Sequence, residues 1–254
     1  MHPVLIAGVH RSGTSWVART LHEAGMNLGD DLLGDQPGNP YGHFEDNRVV
    51  ALHDAALEEQ DLTWKSTTPV QHRSESDLRV GIDAIVRERS NTATPWAIKD
   101  PRLCLFLPEW LAVAPQSRLI VVFRRPDEVV ESLRRRHARR WIHTRHVDPS
   151  DLAFWEQPDL GLHLWVHYNE QLLISARSMD PGHVHVIEWN TTGATSRLVS
   201  SIAEKWNLEL TPTTISLDPT LGKRSTRPLE VHDPRLITRA EAAWAGLQEL
   251  RSAP

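Results

Sequence analysis

Cysteine and lysine are scarce in this sequence. With Cys104 as its only cysteine, the chain cannot form an intramolecular disulfide, which is consistent with a reducing compartment, and we expect a cytoplasmic protein. The apolar context of that residue, LCLFL, predicts a buried structural thiol. Only four of the 28 basic residues are lysines, so arginine, whose fork-shaped side chain matches oxyanions, carries nearly all of the positive charge.

Long apolar runs and an excess of positive charge are also missing. The sequence has no window near the roughly 20 apolar residues that cross a bilayer, and the run VLIAGV ends at once in His10 and Arg11, so we expect neither a membrane span nor a secretory leader. The net charge of −5 does not indicate a nucleic-acid binder. The 254 residues have an ordinary globular composition, which predicts a single domain over 1–254.

Short apolar runs alternate with segments of helical spacing. Strands are predicted at 3–8, 96–99, 118–123 and 184–189, and helices at about 14–24, 46–60, 75–90, 127–140, 160–177 and 195–206. This alternation predicts an α/β fold, a P-loop NTPase-like three-layer arrangement with a central parallel sheet that binds ligands at the carboxyl ends of its strands. Residues 30–44, rich in Gly, Pro, Asn and Asp, predict a surface loop of functional length.

Residues 8–15, GVHRSGTS, have the frame of a phosphate-binding P-loop, G-x-x-x-x-G-K-[ST], with Thr14 in place of the lysine. The amides of residues 11–15 and the start of the following helix predict a nest for an oxyanion. Arg11 would supply the missing positive charge, and Thr14 and Ser15 would add hydroxyl donors. A glycine-rich turn without any nucleotide is the alternative at this point.

The apolar run RLIVVF (118–123) ends in Arg124 and Arg125. A metal-dependent NTPase would place an acidic residue at such a strand end to organise Mg²⁺. Two arginines indicate instead a second anionic group. The sequence therefore predicts a donor with a second phosphate near Arg124, and a group transfer that uses no metal.

Two of these segments resemble the sulfotransferases that use 3′-phosphoadenosine 5′-phosphosulfate (PAPS). HRSGTS resembles their 5′-phosphosulfate loop, and VVFRRPDEVVESL resembles their 3′-phosphate motif, in which an arginine at a strand end is followed eight residues later by a serine, here Arg124 and Ser132. NPYGHFED (39–46) and IKDPRL (98–103) resemble blocks of bacterial, carbohydrate-type and tyrosylprotein-like members. His10 departs from the proline that often opens the nucleotide loop.

The resemblance implies PAPS as the sulfuryl donor and assigns residues to each end of it. The 5′-phosphosulfate would be held by Arg11, Ser12, Gly13, Thr14 and Ser15. Arg124 and Ser132 would hold the 3′-phosphate. DPTLGKR (218–224) resembles a late basic loop that closes over the nucleotide, from which Lys223 or Arg224 would add to the 3′-phosphate site.

Glu45 is the candidate general base by the same resemblance, and the alternative is that it only caps the helix at 46–60. His43 is the rival base, because an ordinary histidine pKa suits the role, although a place on the surface loop is its more frequent outcome. Lys99 is the candidate to neutralise the leaving phosphate or the sulfuryl group. Asp100 and Arg102 either fix Lys99 or reach the acceptor, or they form an ion pair that holds the turn.

The segment 133–146 contains six arginines and three histidines. As a helix it would turn one basic face toward an acidic or sugar-like acceptor or toward the 3′-phosphate, or it would be a solvated surface. Trp141 and Trp155 are candidates for stacking on an acceptor. Trp16, Trp165 and Trp206, on apolar helical faces, are predicted to be core.

Three functions remain open at this stage. The first is transfer of a sulfuryl group to a hydroxyl or amine, with a small-molecule or glycan acceptor favoured over a peptide. The second is a P-loop phosphotransferase, and the third is a non-catalytic nucleotide-binding module. The presence of both Glu45 and Lys99 favours an enzyme, because binding a nucleotide requires neither. The sequence does not indicate the oligomeric state.

Overall fold

The computed structural model of the chain describes residues 1–34, 42–144, 149–189, 195–213 and 229–252, without the side chains of 139–151, 195 and 196. The predictions for Lys223 and Arg224, and for the side chain of Trp141, lie outside the described residues.

Four parallel strands form the sheet. They are β1 (Val4–Ala7), β2 (Ala97–Lys99), β3 (Arg118–Phe123) and β4 (Val184–Glu188), in the order β2-β1-β3-β4. All four lie where the sequence predicted strands. The register pairs Ile6 with Lys99 and Phe123 with Glu188. The carboxyl ends of the strands therefore lie along one edge of the sheet, and the segments that follow them meet there.

The helices within the described ranges surround this sheet. They are α1 (Thr14–Glu23), α2 (Asn47–Glu58), α3 (Asp77–Ser90), α4 (Leu103–Val113), α5 (Pro126–Thr144), α6 (Pro149–Glu156), α7 (Leu160–Arg177), α8 (Thr195–Trp206) and α9 (Pro234–Ser252), with a 3₁₀ turn at Pro181–His183. Helices α4, α6 and α9 were not predicted from the sequence. In α4 the segment LCLFLPEWLAV is apolar on almost every side and contains Pro108, so it has no helical period to detect.

Alternate residues of the strands enter two separate cores. Val4 and Ile6 pack with α1 and α8, whereas Leu5 and Ala7 pack with α4 and α7 on the opposite face. A strand places successive side chains on opposite faces, so a strand buried on both sides reads as a continuous apolar run. The predicted three-layer α/β fold with a central parallel sheet is confirmed.

The predicted core residues are mostly buried. Trp165 and Cys104 are fully buried and Trp206 nearly so, but Trp16 is only partly buried, at the edge of the core with α1 and α8. Burial raises the pKa of the Cys104 thiol well above its usual range, as expected for a structural cysteine. Among the residues that the structure describes, no helix is long and apolar enough to cross a membrane.

Candidate active site

The glycine loop joins β1 to α1 at the carboxyl edge of the sheet. Its backbone adopts positive φ at Arg11 (72°) and Gly13 (100°), and α1 begins at Thr14. A Cβ at Gly8 would clash with the carbonyl oxygen of Val122 on β3, so only glycine lets the loop start this close to the sheet. Positive φ at two positions just before a helix produces the concave run of amides that binds anions.

Ser12 lies beneath the loop. Its amide donates to the carbonyl of Val9 at 3.1 Å, and its fully buried hydroxyl lies close to Gly8 with no hydrogen-bond partner among the described residues. The Ser12 amide is therefore engaged within the loop itself. Ser12 shapes the loop from inside, because its amide closes the turn that brings the later residues to α1.

The two predicted phosphate motifs meet at Arg11. Its Nε donates to Ser132 Oγ on α5 at 3.0 Å, and Arg124 Nη1 donates to the carbonyl of Arg11 at 3.4 Å. Arg124 is itself held by Glu128, 2.8 Å from its Nε, and its own carbonyl accepts from Trp165 Nε1 at 2.9 Å. The residues assigned to opposite ends of the donor thus line one continuous surface.

Lys99 brings a positive charge beside the glycine loop. It is the last residue of β2 and is almost fully buried. Its Nζ donates to Ser15 Oγ at 3.2 Å, to the carbonyl of His43 at 3.0 Å, and to the carboxylate of Glu45. The ammonium therefore lies between the phosphate-binding loop and the candidate base, although all of these segments are far apart in sequence.

Glu45 is buried beside Lys99 and does not cap a helix. The N-cap of α2 is Asp46, which accepts from the amide of Arg48 at 2.7 Å, so the capping alternative for Glu45 is wrong by one residue. Burial opposes ionisation of Glu45, but Lys99 and His43 outweigh it and lower the pKa of the carboxyl to about 2. At neutral pH this side chain is a carboxylate that can accept a proton.

His43 is buried, and its expected place on the surface is wrong. Its Nδ1 lies 3.7 Å from Glu45 Oε1, and its Nε2 has no hydrogen-bond partner in the described part of the chain. Arg102 and Asp100 form the predicted ion pair in the turn after β2, with Arg102 Nε 2.9 Å from Asp100 Oδ1. The guanidinium also faces Glu45, with Nη2 3.9 Å from Oε2.

Trp189 is a residue of this edge that the sequence reading missed. It follows β4, and its amide donates to the carbonyl of Phe123 at 2.7 Å. Its indole packs edge-on against Trp16 with ring centroids 5.0 Å apart, and a Cβ at Gly13 would lie only 2.5 Å from Trp189 Cδ2. The signal was available, because an aromatic residue directly after a parallel strand lies at the ligand edge.

A second missed group is an aromatic cluster behind the loop. His10 packs against Trp64 with centroids 4.4 Å apart, and Trp64 stacks in turn with His137 and Phe154. Burial, reinforced by Arg136, lowers the pKa of His10 well below its usual value, so its ring is neutral at physiological pH. Trp64 comes from a stretch between α2 and α3 with no sequence motif, which is why it was not found.

The arginine-rich segment is helical in its described part. Arg135 forms an ion pair with Glu131 at 2.8 Å, and Arg134 donates to the carbonyl of Pro158 at 3.1 Å. Both arginines therefore have partners within the protein. Trp155 is 43% exposed. The helix carries Ser132 into the loop region on one face and buries His137 on another.

A match to a family model identifies the enzyme class of this chain. The sulfotransferase family model matches residues 3–194, which include both phosphate motifs, Glu45 and Lys99. The chain belongs to the sulfotransferase family. The prediction of a PAPS-dependent sulfotransferase is therefore confirmed at the level of the family, and the phosphotransferase and non-catalytic alternatives are set aside.

One solved sulfotransferase structure shares the fold, and two others superpose less closely. The structure of sulfotransferase STF9 from Mycobacterium avium superposes with a TM-score of 0.51 at 17% identity, covering 96% of this chain and 68% of that one. STF1 from Mycobacterium tuberculosis H37Rv gives 0.46 at 11% identity, covering 99% and 76%. The sulfotransferase domain of the Synechococcus PCC 7002 olefin synthase gives 0.45 at 16%, covering 98% and 92%. No curated protein sequence gives a significant match.

The residues of this edge fit the donor that the family uses. PAPS carries one phosphate at its 3′ position and a phosphosulfate at its 5′ position. The side chains of Arg11, Lys99 and Arg124 all contact the loop or its immediate neighbours, and the loop has the backbone shape of an anion nest. A site with three cations and a nest suits a ligand with two separate anionic groups.

Proposed function

We propose that this sulfotransferase moves a sulfuryl group from PAPS to a hydroxyl of a small-molecule or carbohydrate acceptor, with Glu45 as general base and without a metal ion. The observation that carries the proposal is the position of Lys99, whose ammonium contacts both Ser15 in the glycine loop and the Glu45 carboxylate. One cation thereby connects the donor site to the base.

The donor would be held by the loop and α5. Arg11, Ser15 and the amides around Gly13 would hold the 5′-phosphosulfate, and Arg124 and Ser132 the 3′-phosphate. The Arg11–Ser132 hydrogen bond supports this division, because it joins the two sites at a fixed separation before any ligand arrives. Ser12 is left out of direct contact, since its buried side chain faces Gly8.

Bound PAPS supplies a sulfuryl group attached to a phosphate oxygen that departs as the leaving group. Glu45 accepts the proton of the acceptor hydroxyl as the acceptor oxygen bonds to sulfur and the bond from sulfur to the phosphate oxygen breaks. Lys99 stabilises the negative charge that develops on the departing phosphate. The products are the sulfate ester and adenosine 3′,5′-bisphosphate, with the proton on Glu45.

Lys99 also sets the strength of the base. While Lys99 is paired with Glu45, the carboxyl pKa of about 2 makes it a poor proton acceptor. An anion in the loop draws the ammonium toward itself, and the pKa of Glu45 then rises because its closest positive charge has moved away. Donor binding in this way activates Glu45 as a base. Before the donor is in place, the low pKa of Glu45 restrains proton transfer.

The acceptor class rests on the side chains near the base. His10 is neutral and packs against the partly exposed ring of Trp64, whereas Phe154, which stacks on Trp64, is buried. Flat, uncharged surfaces with a few polar groups are typical of sites for small aromatic or sugar ligands. We therefore favour a small-molecule or carbohydrate hydroxyl over a peptide.

The test is transfer of labelled sulfur from PAPS to a panel of phenols, monosaccharides, aliphatic alcohols and a tyrosine-containing peptide, with a metal chelator present. The proposal predicts a labelled ester of a phenol, sugar or alcohol, formed equally well with and without the chelator, and little product with Glu45→Gln. Labelling of the peptide alone would contradict the acceptor class. Loss of transfer in the chelator would contradict the metal-free mechanism.

A further inference from the structure

Behind Glu45 lies a chain of buried charges that is larger than a turn requires. Arg102 forms a two-pronged pair with Asp100, with Nε 2.9 Å from Oδ1 and Nη2 2.9 Å from Oδ2. Its remaining nitrogen, Nη1, pairs with Asp54 on α2. Asp100 is fully buried and Arg102 is nearly so. Two carboxylates from different elements thus fix one guanidinium, although the Asp100 pair alone would hold the turn.

The same guanidinium faces the candidate base. Arg102 Nη2 lies 3.9 Å from Glu45 Oε2, whereas Glu45 Oε1 pairs with Lys99. Each oxygen of the carboxylate therefore has its own cation. Lys99 has a second partner in Ser15 and an anion-binding loop beside it, so it is the cation that can leave. Arg102, fixed by Asp100 and Asp54, is the one that stays.

A buried histidine, His53, lies against Asp100. Trp110 Nε1 donates to His53 Nε2 at 3.0 Å, which assigns the imidazole proton to Nδ1, and Nδ1 lies 3.4 Å from Asp100 Oδ2. Phe106 stacks on the imidazole with ring centroids 4.9 Å apart. His53 and Asp100 are both fully buried. The Asp100 anchor of Arg102 is therefore set by the core, whereas its Asp54 anchor is partly exposed.

We propose that Arg102, held by Asp100 and Asp54, is a positioning residue for Glu45, which keeps the carboxylate oriented once Lys99 has turned to the donor. The inference rests on the proposed role of Glu45 as the base. Arginine suits the task because its planar fork serves Asp100 with two nitrogens and Asp54 with the third, and still presents an edge to Glu45. A lysine at this position would keep the charge and lose that geometry.

The test is a double-mutant cycle on Arg102 and Glu45. Four proteins are compared: wild type, Arg102→Lys, Glu45→Gln and the double variant. The readout is the single-turnover conversion of PAPS and water into adenosine 3′,5′-bisphosphate and sulfate, with water as the probe acceptor. Calorimetric affinity for the bisphosphate and a thermal unfolding curve accompany each variant.

Arg102→Lys is expected to slow turnover by about tenfold or more, as misplacing a reacting group does. Bisphosphate affinity should change by less than about twofold, since Arg102 does not touch the loop side chains. In the Glu45→Gln background the same substitution should cause no further loss. The matched control is Arg79→Lys, which alters the pair of Arg79 with buried Glu109 between α3 and α4 and should leave turnover unchanged.

Two results would overturn the inference, and they are distinguishable. If Arg102→Lys slows turnover by the same factor in both backgrounds, Arg102 acts through the fold and not through Glu45. If Glu45→Gln alone turns over at the wild-type rate, the base role fails and the inference fails with it.

A second variant covers the case in which Arg102→Lys does not fold. Asp54→Asn then replaces it in the cycle, because the Asp54 side chain is 45% exposed and its loss is tolerable. Releasing one anchor of Arg102 should slow turnover by roughly threefold, the effect of one modest hydrogen bond, and should have no effect in the Glu45→Gln background. An equal loss in both backgrounds, or no loss in either, would contradict the proposal.

Discussion

Arg11 donates to Ser132 at 3.0 Å across 121 residues of sequence, from the loop after β1 to the second turn of α5. Arg124 closes the same group from the end of β3 by donating to the Arg11 carbonyl. The two anion motifs therefore form one surface with a fixed spacing. A ligand with two anionic groups at that spacing is favoured over one with a single group.

Arg124→Ala should weaken binding of adenosine 3′,5′-bisphosphate by about 1.5–3 kcal/mol, because a charge-assisted hydrogen bond to phosphate is lost. Binding of adenosine 5′-monophosphate should be spared. Calorimetry with both nucleotides measures the difference.

The control for that variant is the neighbouring arginine. Arg125 has a side chain 63% exposed and pairs with Asp127 on the surface. Arg125→Ala should leave both affinities unchanged. An equal loss of the two nucleotides in Arg124→Ala would remove Arg124 from the 3′-phosphate site.

Gly13→Ala should weaken bisphosphate binding, and Gly25→Ala should not. Both glycines have a φ near +100°, so both substitutions carry the strain of a left-handed residue, about 1 kcal/mol or more of unfolding free energy. Only at Gly13 would the new Cβ meet Trp189, because at Gly25 no described residue beyond its chain neighbours lies within 4 Å of it. Denaturant unfolding of the two variants measures the backbone strain, and calorimetry with the bisphosphate measures the steric effect on the site. Equal bisphosphate affinities of the two variants would show that the Gly13–Trp189 contact does not shape the site.

Lys99→Met should reduce turnover by about 10²-fold, the effect of removing one preorganised donor from a developing anion. The matched control is Lys205→Met, since Lys205 also donates to two carbonyl groups, those of Val184 and Pro181, but far from the loop. It should keep wild-type turnover. Single-turnover loss of PAPS measures both, and a Lys99→Met enzyme within about twofold of wild type would exclude Lys99 from the chemistry.

Glu45 should make stability depend on pH on the acidic side. Its pKa in the folded protein, about 2, lies below the ordinary glutamate value, so its ion pair stabilises the fold above that ordinary value and the stabilisation is lost as pH falls through about 2. The free energy of unfolding of wild type should exceed that of Glu45→Gln at neutral pH, with a gap that narrows between about pH 5 and pH 2. Urea unfolding at several pH values measures it, and a gap independent of pH would contradict the Lys99–Glu45 pair.

Much of the sheet could be predicted from sequence because its strands are covered on both faces. PVLIAG and RLIVVF are continuous apolar runs, and each ends in the residues that form the site. Helices such as α4 escaped because burial on nearly every side removes the amphipathic period. The single-domain organisation remains a prediction.

The candidate residues were found, but their partners were not. The sequence indicated Glu45 and Lys99 separately, whereas their contact depends on how residues 42–45 lie against the end of β2. The alternative that Glu45 caps α2 was wrong by one residue, because Glu45 and Asp46 are adjacent carboxylates and only the backbone turn decides between them. His53 and Trp110 had no motif at all, since their role arises from packing.

The most direct measurement is calorimetric titration of adenosine 3′,5′-bisphosphate into the purified protein, in parallel with ATP and Mg²⁺. We expect the protein to bind the bisphosphate tightly, with an affinity that a metal chelator does not change, and not to bind Mg-ATP. Preference for Mg-ATP would contradict the two-phosphate site formed by Arg11, Arg124 and Ser132.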